Sequence, residues 1–224
     1  MLRGDLHVVA GVVLALLGVS VGPAWVAFLC GASAVVALYG AARVRGGSGI
    51  RRALLGGLVA GAIVATGDAV FIEARWLFHL RRDVPFLQFS VGVEACRAAL
   101  IAAMLYLYTR LRMQLPKSAA VPIGAVVGAG LGLAFEHLGV RAGLWDWNAS
   151  LMPDLQIGAA WAFVPLGWAI TSLCLWYCLM GFRRGIPLAF HPIGIGIRYG
   201  AAYLGFTIIS YALLLRVYGK VVMP

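Results

Sequence analysis

Four acidic side chains of this sequence fall inside or at the edge of long apolar stretches: Asp68, Glu73, Glu94 and Glu136. The chain holds eight acidic residues in all, so half of them lie where a charged group is costly. On membrane-insertion scales that cost is about 2.5–3.5 kcal/mol per ionisable side chain. Ionisable groups retained within apolar segments mark substrate, ion or proton sites by default. We therefore take these four as candidate catalytic acids.

Small residues at helical spacing predict where two of the acids point. The relevant series are Gly57, Gly61 and Ala65 ahead of Asp68, and Gly124, Gly128 and Gly132 ahead of Glu136. Residues three and four apart share one face of a helix, and small residues mark close helix–helix contacts in membranes. Asp68 and Glu136 should therefore face the interior of a helix bundle.

Purely structural roles also explain some of these groups. Arg97 follows Glu94 by three residues, which makes them neighbours on one helix face and able to form a structural ion pair. Glu73 precedes Arg75 and can serve as an interfacial anchor. Asp68 and Glu136 have no cation nearby in the sequence, which favours a functional role for them.

The direction of each helix predicts the depth of the acids. At a rise of about 1.5 Å per residue, Asp68, Glu94 and Glu136 fall in the same half of the membrane, with Glu73 near its boundary. The candidate substrate-binding residues of that half are Arg97, Trp145, Asp146, Trp161, Trp168 and Tyr211. The sequence predicts a cavity open to the outer leaflet, with acids at its base and aromatic rings on its walls.

Acids and aromatic rings in an apolar site suit one kind of reaction. A desolvated carboxylic acid can stay protonated and act as a general acid, and aromatic faces stabilise cations. We predict a membrane enzyme of isoprenoid metabolism that protonates an olefin or epoxide, followed by ring closure or hydration. Asp68 and Glu136 would be acid and base, and the Glu94–Arg97 pair would organise them.

Two other functions fit the same groups. A small proton-coupled transporter or lipid-binding carrier would use an acid that binds and releases a proton during transport. A subunit without its own activity would pair the acids with cations of another chain.

Several functional classes are disfavoured. The four histidines, His7, His79, His137 and His191, lack metal-site spacing, and no nucleotide-binding motif occurs. We expect acid–base catalysis with no metal and no cofactor. The formal charge is +10, but the cations stand between apolar runs, which favours lipid headgroups over nucleic acid. The expected partners are a hydrophobic small-molecule or lipid substrate and membrane lipids, and the oligomeric state is not predicted.

Transmembrane helices must position these groups. Of the 224 residues 62% are hydrophobic and 12% are charged, whereas soluble domains carry about 25% charged residues. One span needs about 20 apolar residues. The pattern predicts a single all-α domain over 1–224, a bundle of seven transmembrane helices at 6–21, 24–43, 53–74, 86–110, 119–140, 157–180 and 195–217.

The distribution of basic residues predicts the orientation. One side of the predicted bundle carries ten of them: Arg3, Arg43, Arg45, Arg51, Arg52, Arg110, Arg112, Lys117, Arg183 and Arg184. The other carries six: Arg75, Arg81, Arg82, Arg141, Arg216 and Lys220. Because basic residues are enriched in cytoplasmic loops, we expect a cytoplasmic N-terminus and an outer C-terminus, in a bacterial or archaeal cell membrane.

One stretch carries a family resemblance. Its residues are Glu136-His-Leu-Gly139-Val-Arg-Ala-Gly143-Leu-Trp145-Asp146-Trp147, then Pro153, then Phe163-Val-Pro165-Leu-Gly-Trp168. This stretch resembles the carotenoid hydratase family of bacteria and archaea, with Trp147 where a tyrosine is usual and Ala160-Trp161 where Gly-x-Pro is usual. The resemblance implies a polytopic enzyme that hydrates the terminal double bond of acyclic carotenoids. In size and predicted helix number the chain is also similar to small membrane terpene cyclases, which close meroterpenoid rings with intramembrane acids.

Overall fold

The computed structural model describes residues 3–21, 23–43, 48–73, 78–80, 89–147, 156–158, 160–161, 163–180 and 191–218. In these ranges the chain is all-α apart from four short strands. The helices are α1 (Arg3–Ser20), α2 (Ala24–Arg43), α3 (Ser48–Glu73), α4 (Glu94–Gln114), α5 (Lys117–Arg141), α6 (Phe163–Met180) and α7 (His191–Tyr218). A π-helical turn, Phe89–Val93, leads into α4. The strands are β1 (Phe78–Leu80), β2 (Trp145–Trp147), β3 (Gln156–Ile157) and β4 (Ala160–Trp161).

The helices are those of a multi-pass membrane protein. Five segments of the described chain are long and apolar enough to cross a bilayer: Trp25–Arg43, Gly49–Val70, Val91–Gln114, Ser118–Arg141 and His191–Ser210. Two further apolar segments, Gly4–Ser20 and Val164–Leu173, are shorter. Large apolar side chains point outward, such as Val36 and Val126, which are 68% and 72% exposed. In water this surface would be unfavourable, but in a bilayer it faces lipid.

Predicted and observed helix bounds agree for α2 and differ at the start of α4, which was predicted at residue 86 and begins at Glu94 after a π-helical turn, and at the start of α6. The prediction began this helix at residue 157, whereas it begins at Phe163. Before it, β3 and β4 pair antiparallel, and Gly158 in the turn between them has a φ of +64°. Glycine adopts this left-handed conformation without steric cost. The apolar character of the segment therefore reflects a small hairpin that leads into the helix.

α4 is the central helix of the bundle. Its spanning window is 78% buried, the largest buried share among the five spanning segments of the described chain. α3 packs antiparallel against it at Gly57 and Gly61, where an added Cβ would lie 2.6 Å from the Cβ atoms of Ala102 and Ala98. On its other side α3 packs parallel to α7, with Gly200 against Ile63. Small residues thus set the spacing of the three helices.

The two ends of the bundle differ in character. The end where α2 and α4 finish and α3 begins carries Arg43, Arg51, Arg52, Arg110 and Arg112, and we call it the basic end. At the opposite end α3 and α5 finish and α4 begins, and we call it the acid end. There β2 pairs antiparallel with β1, directly after α5.

Candidate functional site

Two glycines of the α5 series, Gly128 and Gly132, form a close contact with α6. An added Cβ at Gly128 would meet Ser172, and one at Gly132 would meet the Trp168 ring. One turn further along, Glu136 is 2% exposed, and Asp68 at the end of the α3 series is 4% exposed. The prediction that both acids point into the bundle is confirmed.

Arg97 lies at the centre of the acid cluster, which we define as Asp68, Glu94, Arg97 and Glu136. Its guanidinium pairs with Glu94 on the same helix, with 3.2 Å between Nη1 and Oε1. The same Nη1 also forms an ion pair and hydrogen bond with Asp68 of α3, 29 residues away. Asp68, which has no cation near it in the sequence, therefore finds one across a helix interface.

Glu136 accepts a hydrogen bond from a residue in the segment that follows its own helix. The Trp145 Nε1–H donates to Glu136 Oε2 at 3.2 Å. The chain reverses at Gly143, which has a φ of +76°. Leu144 N–H donates to Gly139 O, and Gly143 N–H donates to Val140 O, both at 3.0 Å. This is the Schellman arrangement at a helix C-terminus, and it returns β2 over the end of α5.

The two glycines of this turn have separate roles. Gly143 supplies the left-handed conformation that the turn requires. Gly139 leaves space for the Trp145 ring, which lies where a Cβ would be. Together they bring Trp145 into the bundle, where it is 2% exposed.

Four aromatic rings form a continuous row beside the acid cluster. Phe135 lies 5.7 Å from Trp145 and 6.2 Å from Trp168, measured between ring centroids. Trp168 in turn meets Tyr203 edge-on at 6.2 Å. The guanidinium of Arg97 sits over the Phe135 ring, 5.2 Å from its centroid, which is within cation–π range.

Sequence reasoning missed Phe135 and did not assign Tyr203 to the site. Tyr203 belongs to a Tyr199, Tyr203 and Thr207 series spaced by four, so a signal for it existed. Phe135 is one of many apolar residues in α5, and its position under Arg97 depends on how α4 and α5 pack. No sequence pattern distinguishes it.

The acid cluster contains more acid than base. Among the described residues Asp68, Glu94 and Glu136 are the buried acids, and Arg97 is the buried cation. The three acids interact electrostatically with one another and with Arg97. No group of three or more His, Cys, Asp or Glu in the described ranges has metal-site geometry.

Several buried polar atoms of the site make no hydrogen bond to the described residues. They are both carboxyl oxygens of Glu94, Nε of Arg97 and Nε1 of Trp168. Buried polar groups are nearly always satisfied by protein, water or ligand. The cluster therefore presents a donor-rich and acceptor-rich surface to which a water or a substrate could bind.

The remaining predicted residues lie apart from this cluster or outside the described side chains. Asp146 sits on β2 opposite His79, and because successive strand residues point to opposite faces, it points away from Trp145. Glu73, Trp161 and Tyr211 belong to α3, β4 and α7, but their side chains are outside the described part. Some of the residues predicted to line the cavity are therefore among those whose side chains the structure does not describe.

Comparison with models of known families, with curated proteins and with solved structures gives no match to this chain. The resemblance to carotenoid hydratases stays a prediction.

Proposed function

We propose that this protein is an integral membrane enzyme of isoprenoid metabolism, which protonates an olefin or epoxide so that the substrate cyclises or is hydrated. The observation that carries the proposal is the buried excess of acid over base. Arg97 faces Asp68, Glu94 and Glu136 in the described interior, beside a row of aromatic rings.

Charge balance suggests which acid gives the proton. One guanidinium compensates one carboxylate, and an isolated charge in an apolar interior is so costly that the group is neutralised instead. Asp68 takes the hydrogen-bonded ion pair with Arg97. Glu136 accepts the Trp145 N–H. Glu94 Oε1 lies 3.2 Å from Arg97 Nη1, the same nitrogen that pairs with Asp68, so Glu94 shares its cation with a carboxylate that is already paired. We therefore assign Glu94 as the proton donor, in place of the Asp68 donor that the sequence suggested.

The proposed step is balanced in atoms and charge. The Glu94 carboxyl proton passes to an olefin carbon, a C–H bond forms as the π bond breaks, and a carbocation faces the Glu94 carboxylate. In cyclisation a second double bond attacks the cation, and a proton then leaves to a carboxylate. In hydration a water attacks and loses a proton to a carboxylate. The Glu94 carboxylate left by the first step is the base that takes up this proton, which returns the acid to its starting form.

The aromatic row would stabilise the cation. Arg97 covers one face of Phe135, and the other rings of the row are Trp145, Trp168 and Tyr203. A cation over an aromatic ring gains about 0.5–2 kcal/mol, more when it is desolvated. This supports carbocation chemistry over simple proton transfer, for which aromatic rings offer no advantage.

The membrane arrangement belongs to the same proposal. We place α1 and α6 in the bilayer with the five longer apolar helices, which gives seven spans. The excess of basic residues at the basic end favours that end as cytoplasmic, so the acid cluster would lie near the outer leaflet of a bacterial or archaeal membrane. A long apolar substrate could then enter from the lipid.

Turnover in heavy water tests the proposal. Purified protein in nanodiscs is incubated in D₂O with an acyclic carotenoid and, separately, with a prenylated aromatic epoxide. Protonation of the carotenoid olefin by an exchangeable carboxyl group should place one deuterium on carbon in the product, detected by mass spectrometry. Opening of the epoxide places the deuterium on oxygen, where it exchanges, so turnover of the epoxide is detected by chromatography of the cyclised or hydrated product. Glu94→Gln should reduce turnover at least 100-fold, since general acid catalysis contributes about 10²–10⁴-fold. Asp146→Asn, which points away from the cluster, is the matched control.

Two other results would contradict parts of the proposal. If Glu94→Gln and Asp146→Asn turn over equally, the donor assignment is wrong. If neither substrate is changed chemically but one accumulates inside sealed vesicles with a proton, the protein is a proton-coupled carrier.

A further inference from the structure

A cavity remote from the acid cluster opens between α1, α4 and α5. Its volume is about 610 Å³, within the 300–1,000 Å³ typical of small-molecule sites. The walls are largely apolar and include Val9 and Val13 of α1, Leu107 of α4 and Val127 and Leu131 of α5. Because Val9 and Val13 are 52% and 49% exposed, the cavity is open sideways, toward the lipid. We call it the lateral groove.

The lateral groove has a polar end. Arg110, Tyr106, Asp5 and Gln114 line it there. Tyr106 Oη–H donates to Asp5 Oδ1 at 2.7 Å, and Arg110 Nη2 lies 3.5 Å from Asp5 Oδ2. Arg110 follows Arg97 by 13 residues on α4, which is about 20 Å along the helix. The groove is therefore a separate site near the basic end.

We propose that the lateral groove binds an anionic phospholipid, with one acyl chain along its apolar wall and the phosphate on Arg110. An occupant must be amphipathic, because the groove is apolar along its length and polar at one end. It must also reach the groove through the bilayer, because the opening faces sideways. A membrane lipid meets both conditions.

Charge complementarity selects the anionic headgroup. The Asp5 contact engages one terminal amino group of Arg110. The Arg110 side chain is 30% exposed, so its other N–H groups can reach a phosphate. Arginine binds phosphate through paired N–H donors. Exposed Arg51, Arg52 and Arg112 add positive charge at the same end, which attracts anionic lipids. This inference does not depend on the proposed enzymatic function.

Native mass spectrometry of the full-length protein tests the inference. The protein is reconstituted in nanodiscs of equal phosphatidylglycerol and phosphatidylcholine, and the lipids retained after mild detergent transfer are counted. We expect one phosphatidylglycerol per chain. Arg110→Gln should lower its retention about tenfold or more, since charge-assisted hydrogen bonds to phosphate are lost. Val127→Trp, which fills the groove, should abolish it.

Two control variants separate this site from general lipid contact. Arg112→Gln removes a cation of the same helix that does not line the groove. Val126→Trp adds the same ring at a neighbouring position that is 72% exposed. Both should retain the lipid. Equal retention of phosphatidylcholine in the unmodified protein, or undiminished phosphatidylglycerol in both Arg110→Gln and Val127→Trp, would overturn the inference.

Discussion

At the scale of single residues, the Arg97 guanidinium determines the character of the site. It contacts Asp68 and Glu94 and covers the Phe135 ring, so it holds parts of three helices together. Removing one member of a buried ion pair costs about 3–5 kcal/mol, because the other charge is left uncompensated. Removing both members of a pair costs much less.

A double-mutant cycle measures this coupling. Arg97→Gln should lower the free energy of unfolding by about 3–5 kcal/mol, because Asp68 then has no cation. Arg97→Gln combined with Asp68→Asn should be more stable than Arg97→Gln alone. Unfolding in mixed detergent, followed by tryptophan fluorescence, gives both values. Strictly additive effects would show that the ion pair is not coupled as the structure has it.

Trp145 offers a second test at this scale. Trp145→Phe keeps an aromatic ring over Gly139 but removes the N–H that donates to Glu136. Since a buried acceptor is then left unsatisfied, the free energy of unfolding should fall by about 1–3 kcal/mol. Trp25→Phe is the control, because Trp25 is 57% exposed and should change stability by less than about 0.5 kcal/mol. Equal effects would mean that the Glu136 hydrogen bond does not contribute.

At the scale of elements, sequence spacing predicted which helix faces meet but not which residues pair. The glycines every four residues in α5 indicated that Glu136 faces inward, and it does. The Asp68–Arg97 pair was not predictable, because it depends on the axial offset between α3 and α4 that Gly61 and Ala98 set by close contact.

The Trp145 contact was hidden for a different reason. Trp145 was among the candidate substrate-binding residues predicted from the sequence, but no pattern in the sequence indicated a contact with Glu136. Its place over Glu136 requires the left-handed turn at Gly143 and the pairing of β2 with β1. Both are local reversals that helical periodicity does not reveal.

Two glycines of α5 allow a direct test of the close contact. Gly132→Ala should destabilise by about 1–3 kcal/mol through overpacking, since its Cβ would enter the Trp168 ring. Gly130→Ala should instead stabilise by about 0.5–1 kcal/mol, because nothing lies within 4 Å and alanine favours the helix. The free energies of unfolding of both variants, measured in the same detergent mixture, test this prediction. Effects of the same sign would show that Trp168 is not packed on Gly132.

At the scale of the whole molecule, the helices place the acid cluster and most of the exposed positive charge of the described chain at opposite ends of the bundle. The three buried acids of the described chain lie at the acid end, and the exposed Arg43, Arg51, Arg52 and Arg112 lie at the basic end. An antiparallel bundle produces this separation because every second connection lies on the same side. The acid cluster and the lateral groove can therefore work without sharing residues.

The orientation of the protein in the membrane can be tested with reporter fusions. If the basic end is cytoplasmic, a fluorescent reporter fused after residue 116, between α4 and α5, should fold and fluoresce inside the cell. Alkaline phosphatase, which is active only outside, should be active when fused after residue 147 or after residue 224. Phosphatase activity at 147 together with fluorescence at 224 would mean that only one of α6 and α7 crosses the bilayer, and α6, whose apolar segment is the shorter, would then lie outside it. Fluorescence after 147 and phosphatase activity after 116 would invert the protein, and the acid cluster would then open toward the cytoplasmic leaflet.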